Sequence, residues 1–154
     1  MGWWSCTVMG GDTPMDLQAD LIEETGIAYC YFQDELDFDM KALKDDMTRD
    51  LGKMIMYCEK QTNDYDYRNI AFQVLGAITM EAGVTLPDSV RTKIIDGARF
   101  DEWAESSDER KAYMKSFILQ VEQYEDKPTE IASEGLFEKF AEMMDSGKLH
   151  LVNK

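Results

Sequence analysis

The chain has 154 residues, of which 44% are hydrophobic and 31% charged, and this is enough apolar material for one domain with its own core. Its formal net charge of -15 excludes binding of nucleic acid or anionic lipid through a basic surface. No apolar run approaches the roughly 18 residues of a membrane span, and the opening MGWW lacks the basic stretch of a signal peptide. The three cysteines (Cys6, Cys30, Cys58) are too few and too far apart for a zinc site or a disulfide framework, so we expect reduced thiols in a cytoplasm.

Residues 1–11 carry no charged side chain and include Trp3 and Trp4. Large indoles in an uncharged leader predict a strap packed over a hydrophobic core. The Gly-Gly pair that follows resembles an anion-binding turn, but Asp12 and Asp16 already occupy the positive end of the next helix. We therefore interpret the two aspartates as residues that stabilise the helix start.

The first helix is predicted to begin at Thr13, with Pro14 at its first helical position, and to stop at Gly26. Residues 27–32 are predicted to be an extended or helical linker. A long helix should then run from about Asp37 or Asp39 to about Gln61. Its apolar stripe consists of Met40, Leu43, Met47, Leu51, Met54, Ile55 and Cys58.

Four more segments carry helix signals. Asn63-Asp64 starts a helix that Gly83 ends, and Leu86-Pro87-Asp88 starts the next. Ser107-Asp108-Glu109 starts another, in a region that ends at Pro128, and a last helix is predicted near residues 133–145. The predicted core positions are Ile70, Ala71, Val74, Leu75, Ile78, Val90, Ile94, Ile95, Ala98, Tyr113, Phe117, Ile118, Val121, Tyr124, Leu136, Phe137, Phe140, Met143 and Met144. Together these segments predict an all-α fold: one compact domain over residues 1–154, with six to seven helices, the strap at 1–11 and a mobile tail at 148–154.

Acidic residues are concentrated between positions 12 and 50. An acidic surface of this kind attracts a basic partner. The predicted partner-binding residues are Asp12, Asp16, Asp20, Glu23, Glu24, Asp34, Glu35, Asp45, Asp46 and Asp50.

The same aspartates suggest a second, chemical interpretation. Asp12, Asp16 and Asp20 recur every four residues, so they share one helix face, and their oxygens suit Mg²⁺ or Mn²⁺. Together with acids from other helices they would form a metal centre for hydrolysis or nucleotide binding. The simpler interpretation is a solvated helix face that binds no cofactor.

Nucleophilic catalysis has little support in the sequence. His150 is the one histidine, near the end of the chain, and no GxSxG, P-loop or GxGxxG motif is present. The eleven methionines are expected to fill the core first; a Met-rich groove for a partner helix is the sharper alternative. A non-enzymatic role is therefore the leading hypothesis.

The opening resembles a small bacterial and phage family known as domain of unknown function 4259, whose members begin M-G-x-W-G-x-x-x-F-x-N-D-x-A-x-D. Gly2, Trp4, Asp12 and Asp16 fall in register, with Trp3 between the first two, whereas Ser5, Met9, Gly11 and Pro14 depart from the pattern. Residues 69–90 and 101–121 fit more loosely. The resemblance implies an all-α fold and no activity, and this variant of the opening also looks like hypothetical proteins of tailed phages.

These observations predict an acidic cytoplasmic protein that binds another protein. If phage-encoded, it would inhibit a host or defence factor, and one specific form is mimicry of DNA, in which carboxylates replace phosphates. The metal-dependent hydrolase or nucleotide-binding protein is the alternative function. A homo-oligomer with Met and aromatic contacts is a third.

Overall fold

The computed structural model describes residues 3, 5–25, 40–61 and 65–131. Helices dominate this part of the chain: α1 (Asp12–Thr25), α2 (Met40–Lys60), α3 (Tyr65–Ala82), α4 (Asp88–Arg99), α5 (Glu102–Ser106) and α6 (Asp108–Gln123). Five of them have at least twelve residues, and α5 has five. No strand occurs in the described ranges, where one isolated antiparallel bridge joins Trp3 to Gly11. The predicted all-α class is confirmed, while the total of six to seven helices stays a prediction.

Helix α3 lies at the centre of the fold. It packs against α1, α2 and α4, while α4 and α5 both contact α6. Every residue from 69 to 80 is buried, so α3 has no solvated face within that stretch. The sequence predicted only an apolar stripe on this helix. The structure instead surrounds it with neighbours, and therefore its polar side chains are buried as well.

The buried polar side chains of α3 are satisfied by hydrogen bonds. The Asn69 amide donates to the Phe100 carbonyl at 2.9 Å, and the Thr79 hydroxyl donates to the Leu75 carbonyl at 2.7 Å. No buried side-chain nitrogen or oxygen in the described ranges lacks a partner. An unpaired polar group inside a protein costs about 1–3 kcal/mol, so this matching is what allows a polar residue to remain in α3.

The helix boundaries largely follow the local signals. The Ser107 hydroxyl accepts from the Arg110 N–H at 3.2 Å and caps α6, and Pro87 stands at the N-cap of α4. Gly83, with a φ of +77°, follows the last residue of α3. These three predictions are confirmed. Helix α1 begins at Asp12, two residues before Pro14, so the predicted start is two residues late.

The stripe predicted for the long helix is confirmed where side chains are described. Leu43, Met47, Met54 and Cys58 of α2 are buried, and Leu51 and Ile55 are half-buried. Helix α5 was not predicted. It begins because the Asp101 carboxylate accepts the Ala104 N–H at 2.9 Å, which is a standard N-cap.

Some predictions concern parts of the chain outside the described residues. They are the linker at 27–32, the helix start at Asn63-Asp64, the helix near 133–145, and the tail that contains His150. Among the helices described, none is both long and apolar enough to cross a membrane.

Candidate functional site

Arg110 lies in the first turn of α6 and is fully buried, with 0% of its surface exposed. A charged side chain is rarely buried unless other groups replace its hydration. The residues around Arg110 therefore form the most unusual chemical environment in the described part of the protein.

The guanidinium group donates five hydrogen bonds. Its Nε and one Nη2 hydrogen bond the Asp101 carboxylate at 3.3 and 2.8 Å. The second Nη2 hydrogen bonds the Gln73 side-chain oxygen at 2.9 Å. The two Nη1 hydrogens bond the carbonyls of Cys6 and Thr7 at 2.9 and 3.1 Å. An arginine has five N–H donors, so this set leaves none without a partner.

Asp101 is held as firmly as its partner. Its side chain is 1% exposed, and besides Arg110 it accepts the Gln73 amide at 2.8 Å. The same carboxylate caps α5 through the Ala104 N–H. One acid thus joins three helices, because Gln73 belongs to α3 and Arg110 to α6.

Two tryptophans pack against the guanidinium. Its central carbon lies 4.9 Å from the ring centroid of Trp3 and 4.6 Å from that of Trp103. The two indoles lie 5.0 Å apart at an interplanar angle of 53°. Cation–π contacts of this kind attract a buried cation and exclude water from it. Trp3, a residue of the uncharged leader, therefore packs against Arg110 in the folded protein.

The cluster changes the titration of its acidic groups. Burial by itself would raise the pKa of Asp101, but the hydrogen bonds and charge of Arg110, with the Gln73 amide and the Ala104 N–H, lower it overall. Burial also raises the pKa of the Cys6 thiol to about 11, with a smaller contribution from Glu109. Cys6 is therefore protonated at neutral pH and is not an activated nucleophile.

This arrangement is suited to holding structure together and not to binding a ligand. A depression of about 210 Å³ beside the cluster is lined in part by Trp3, Trp103 and Arg110. All guanidinium donors are already used inside the protein, so the arginine has none to offer a phosphate or carboxylate in that depression. We name Arg110, Asp101, Gln73, Trp3 and Trp103 the arginine clamp.

Sequence reasoning missed Arg110, Asp101 and Gln73 as a unit. One signal was present: Arg110 precedes the buried Tyr113, Phe117 and Val121 of α6 at helical spacing, so a cation stands within an apolar stripe. A charge in such a position indicates a buried partner. The neighbouring residues do not reveal that partner, because Gln73 and the leader carbonyls are far away in sequence.

The acids predicted as a partner surface are divided by the fold. On α1, Asp16, Asp20 and Glu23 are exposed and Asp12 is half-buried in the first turn. The Asp20 carboxylate accepts the Tyr57 hydroxyl of α2 at 2.9 Å. Helix α1 contains five acidic residues and no lysine or arginine, so no basic side chain of its own helix offsets their charge.

The acids of α2 are in a different state, because basic residues accompany them. Asp45 lies 3.5 Å from the Lys41 ammonium, and Asp46 lies 3.0 Å from the Arg49 guanidinium. Asp50 is only 4% exposed and pairs with Arg49 at 2.8 Å. The expectation that Asp50 belongs to an exposed acidic surface is therefore wrong: its side chain is covered, and the hydrogen-bonded Arg49 guanidinium compensates its charge.

The remaining predicted positions fall outside the described residues. These are Gly2, Trp4, Asp34 and Glu35, together with the side chain of Glu24.

The metal hypothesis requires carboxylates that converge. Within the described ranges, no group of three or more His, Cys, Asp or Glu residues could hold a metal ion. Asp12, Asp16 and Asp20 lie on one helix without acids from another helix completing a set there, so the described residues lend the hypothesis no support.

Comparison with known proteins yields no match: no family model, no curated protein and no solved structure is similar to this chain. The resemblance to domain of unknown function 4259 therefore stays a prediction.

Proposed function

We propose that this protein acts by binding another protein through the exposed face of α1, and that the partner contributes a basic surface. The observation that carries the proposal is the negative charge of α1, which has five acids and no base in its own sequence. Complementary charge accelerates encounter between proteins and selects against wrong partners.

The α1 surface has the composition of a contact face. Met15, Asp16, Ala19, Asp20 and Glu23 are all exposed and recur at helical spacing, so they lie side by side. Met15 exposes 50% of its surface between the acids. An apolar side chain surrounded by carboxylates supplies area to bury as well as charge to orient a partner. We name these five residues the α1 acidic face.

The α2 acids are not part of this surface, because Lys41, Arg49 and Lys53 accompany them. Mimicry of DNA needs two rows of free carboxylates, and the paired acids of α2 do not supply one. We therefore propose a protein contact on the α1 acidic face alone.

The proposal also includes a biological setting. We propose an inhibitor of a host or defence factor that is encoded by a phage and acts in a bacterial cytoplasm. Such an inhibitor would use the α1 acidic face, and the resemblance of the opening residues supports this setting. We also propose that the uncharged leader is a strap, since the Cys6 and Thr7 carbonyls bond Arg110 across the fold.

The test compares three immobilised forms of the full chain in capturing proteins from a bacterial extract. They are the wild type, Asp16→Asn with Glu23→Gln, and Glu122→Gln with Glu125→Gln. Asp20 is kept because it bonds Tyr57. The control pair removes the same charge from exposed positions on and beyond α6.

We expect the α1 variant to lose the captured partner by about tenfold or more, because two charges that attract the partner are gone. The control should retain it, and wild-type capture should weaken with added salt. Equal recovery of the same partner by all three forms would show that the α1 acidic face is not the contact.

A further inference from the structure

A groove with basic walls lies between the end of α4, α5 and the outer side of α6. Its volume is about 240 Å³. Ala98 and Met114 at its base are buried, and Ala104 and Ile118 beside them are half-buried. These four side chains give the groove an apolar floor.

Three cations stand around this floor: Arg99, Lys111 and Lys115. The two lysines are one turn apart on α6, and neither forms an ion pair with any residue in the described ranges. Arg99 has one exposed partner, Asp96, at 3.6 Å. Free lysines side by side are unusual in a chain with 31 acids and 16 bases, since carboxylates are abundant.

Two carboxylates, Asp101 and Glu105, also line the groove. Only Glu105 is free to repel an anion that binds there. Asp101 is compensated by Arg110 at 2.8 Å inside the arginine clamp. Glu105 is exposed and forms no ion pair within the described residues, so the unpaired charges that line the groove are two ammonium groups and one carboxylate, while Arg99 is near Asp96. The local charge is therefore positive although the whole molecule is strongly negative.

The size and charge of the groove limit the class of ligand that can bind there. Its volume is below the roughly 300–1,000 Å³ of pockets that enclose drug-sized ligands, so the ligand must be small. An acidic macromolecule would be repelled by the net charge of -15, whereas a small monoanion experiences mainly the nearby cations. An apolar floor needs an apolar chain to cover it.

We propose that this groove binds a small amphiphilic carboxylate, a molecule with a short apolar chain and one carboxylate. The chain lies on Ala98, Met114 and Ile118, and the carboxylate meets the ammonium groups of Lys111 and Lys115. The site is separate from the α1 acidic face and has the opposite charge.

The test uses sodium octanoate as the probe and the full chain carrying ¹³C-labelled methionine methyl groups. The Met114 signal is assigned with Met114→Leu. Octanoate and 1-octanol are titrated at constant ionic strength into the wild type, Lys111→Gln with Lys115→Gln, and Lys41→Gln with Lys44→Gln. The last pair removes the same charge from α2 and is the matched control.

We expect octanoate to shift the Met114 methyl signal to saturation. Octanol, and octanoate with the Lys111/Lys115 variant, should each bind about tenfold or more weaker, because charge-assisted hydrogen bonds are lost. The control variant should bind octanoate as the wild type does. The proposal is overturned if no saturating shift occurs, if octanol binds as well as octanoate, or if both lysine pairs weaken binding equally.

Discussion

At the scale of single residues, the fold depends on a buried ion pair between Arg110 and Asp101. Removing two charges from water is costly, and their mutual attraction offsets this only when the remaining donors and acceptors also find partners. Here Gln73 and the leader carbonyls complete the set. The pair is therefore a point where the loss of one member leaves the other uncompensated.

Replacing Arg110 by methionine should destabilise the protein by about 3–5 kcal/mol, because Asp101 would be left as a buried charge without its cation. The double variant Arg110→Met with Asp101→Asn should be less destabilised than the single one, since the uncompensated charge is gone. Urea denaturation followed by circular dichroism measures both.

Arg99→Met serves as the control for this series, because it makes the same chemical change where the side chains of Arg99 and its partner Asp96 are 58% and 48% exposed. Its denaturation midpoint should change far less than that of Arg110→Met. If the two single variants were equally destabilised, the arginine clamp would not be the structural centre inferred here.

At the scale of elements, side chains and turns join the ends of helices that are distant in sequence. Arg91 of α4 donates to the Val121 and Tyr124 carbonyls at the end of α6, at 3.3 and 2.6 Å, and pairs with Asp126 at 2.9 Å. A cation at a helix C-terminus satisfies free carbonyls and opposes the negative end of the dipole. Gly83 ends α3 close to the chain that follows α6.

Gly83→Ala should destabilise the protein by at least about 1–2 kcal/mol, because an L-residue is disfavoured at positive φ. Its φ is +77°, and a Cβ there would stand 2.6 Å from Pro128 Cδ and 2.7 Å from Pro128 N. Both strain and collision therefore act on this turn. The measurement is the free energy of unfolding in urea.

Gly52→Ala is the matched control, since it makes the same chemical change where nothing lies within 4 Å. In the interior of α2 it should stabilise by about 0.5–1 kcal/mol, because alanine favours helix more than glycine does. Opposite signs for the two substitutions are expected. The same sign for both would contradict the role assigned to the Gly83 turn.

At the scale of the whole molecule, the charge is unevenly distributed. The acids of α1 lack basic neighbours on their own helix, those of α2 are paired, and a positive groove lies beside α6. The buried acids Asp50 and Asp101 make the stability of the folded protein depend on pH. The hydrogen bond from Arg49 is the largest cause of the lowered pKa of Asp50. At Asp101 burial raises the pKa, but the Arg110 contacts together with the Gln73 amide and the Ala104 N–H lower it overall.

A carboxyl group with a lowered pKa in the folded state stabilises that state fully above its unfolded pKa of about 3.9. The stabilisation is lost as the pH falls through the lower, folded-state value. The free energy of unfolding should therefore decrease from about pH 4 downward. In Asp101→Asn the curve should be flatter over this range, although the protein is less stable at pH 7.

Urea denaturation of the wild type and of Asp101→Asn at several pH values provides this curve. The matched variant Asp16→Asn alters an exposed acid and should keep the wild-type slope. A slope that is the same in all three proteins would show that Asp101 does not contribute to acid sensitivity.

The sequence by itself determined the all-α class, the starts of α4 and α6, the end of α3 and the apolar stripe of α2. These features depend on residues a few positions apart: a serine cap, a proline before a helix, a glycine at positive φ, and a period of three to four. It also located Trp3 in an uncharged leader. Local chemistry is sufficient for each of these.

Only the tertiary structure decided which charges are buried and what compensates them. Arg110 bonds Cys6 across 104 positions and Gln73 across 37, and Asp20 meets Tyr57 across 37. The sequence predicts Asp50 at the surface because a charge in a helix is usually solvated, yet it is buried beside Arg49. Burial and pairing arise from distant segments brought together by folding, and a window along the chain carries no information about which segments will meet.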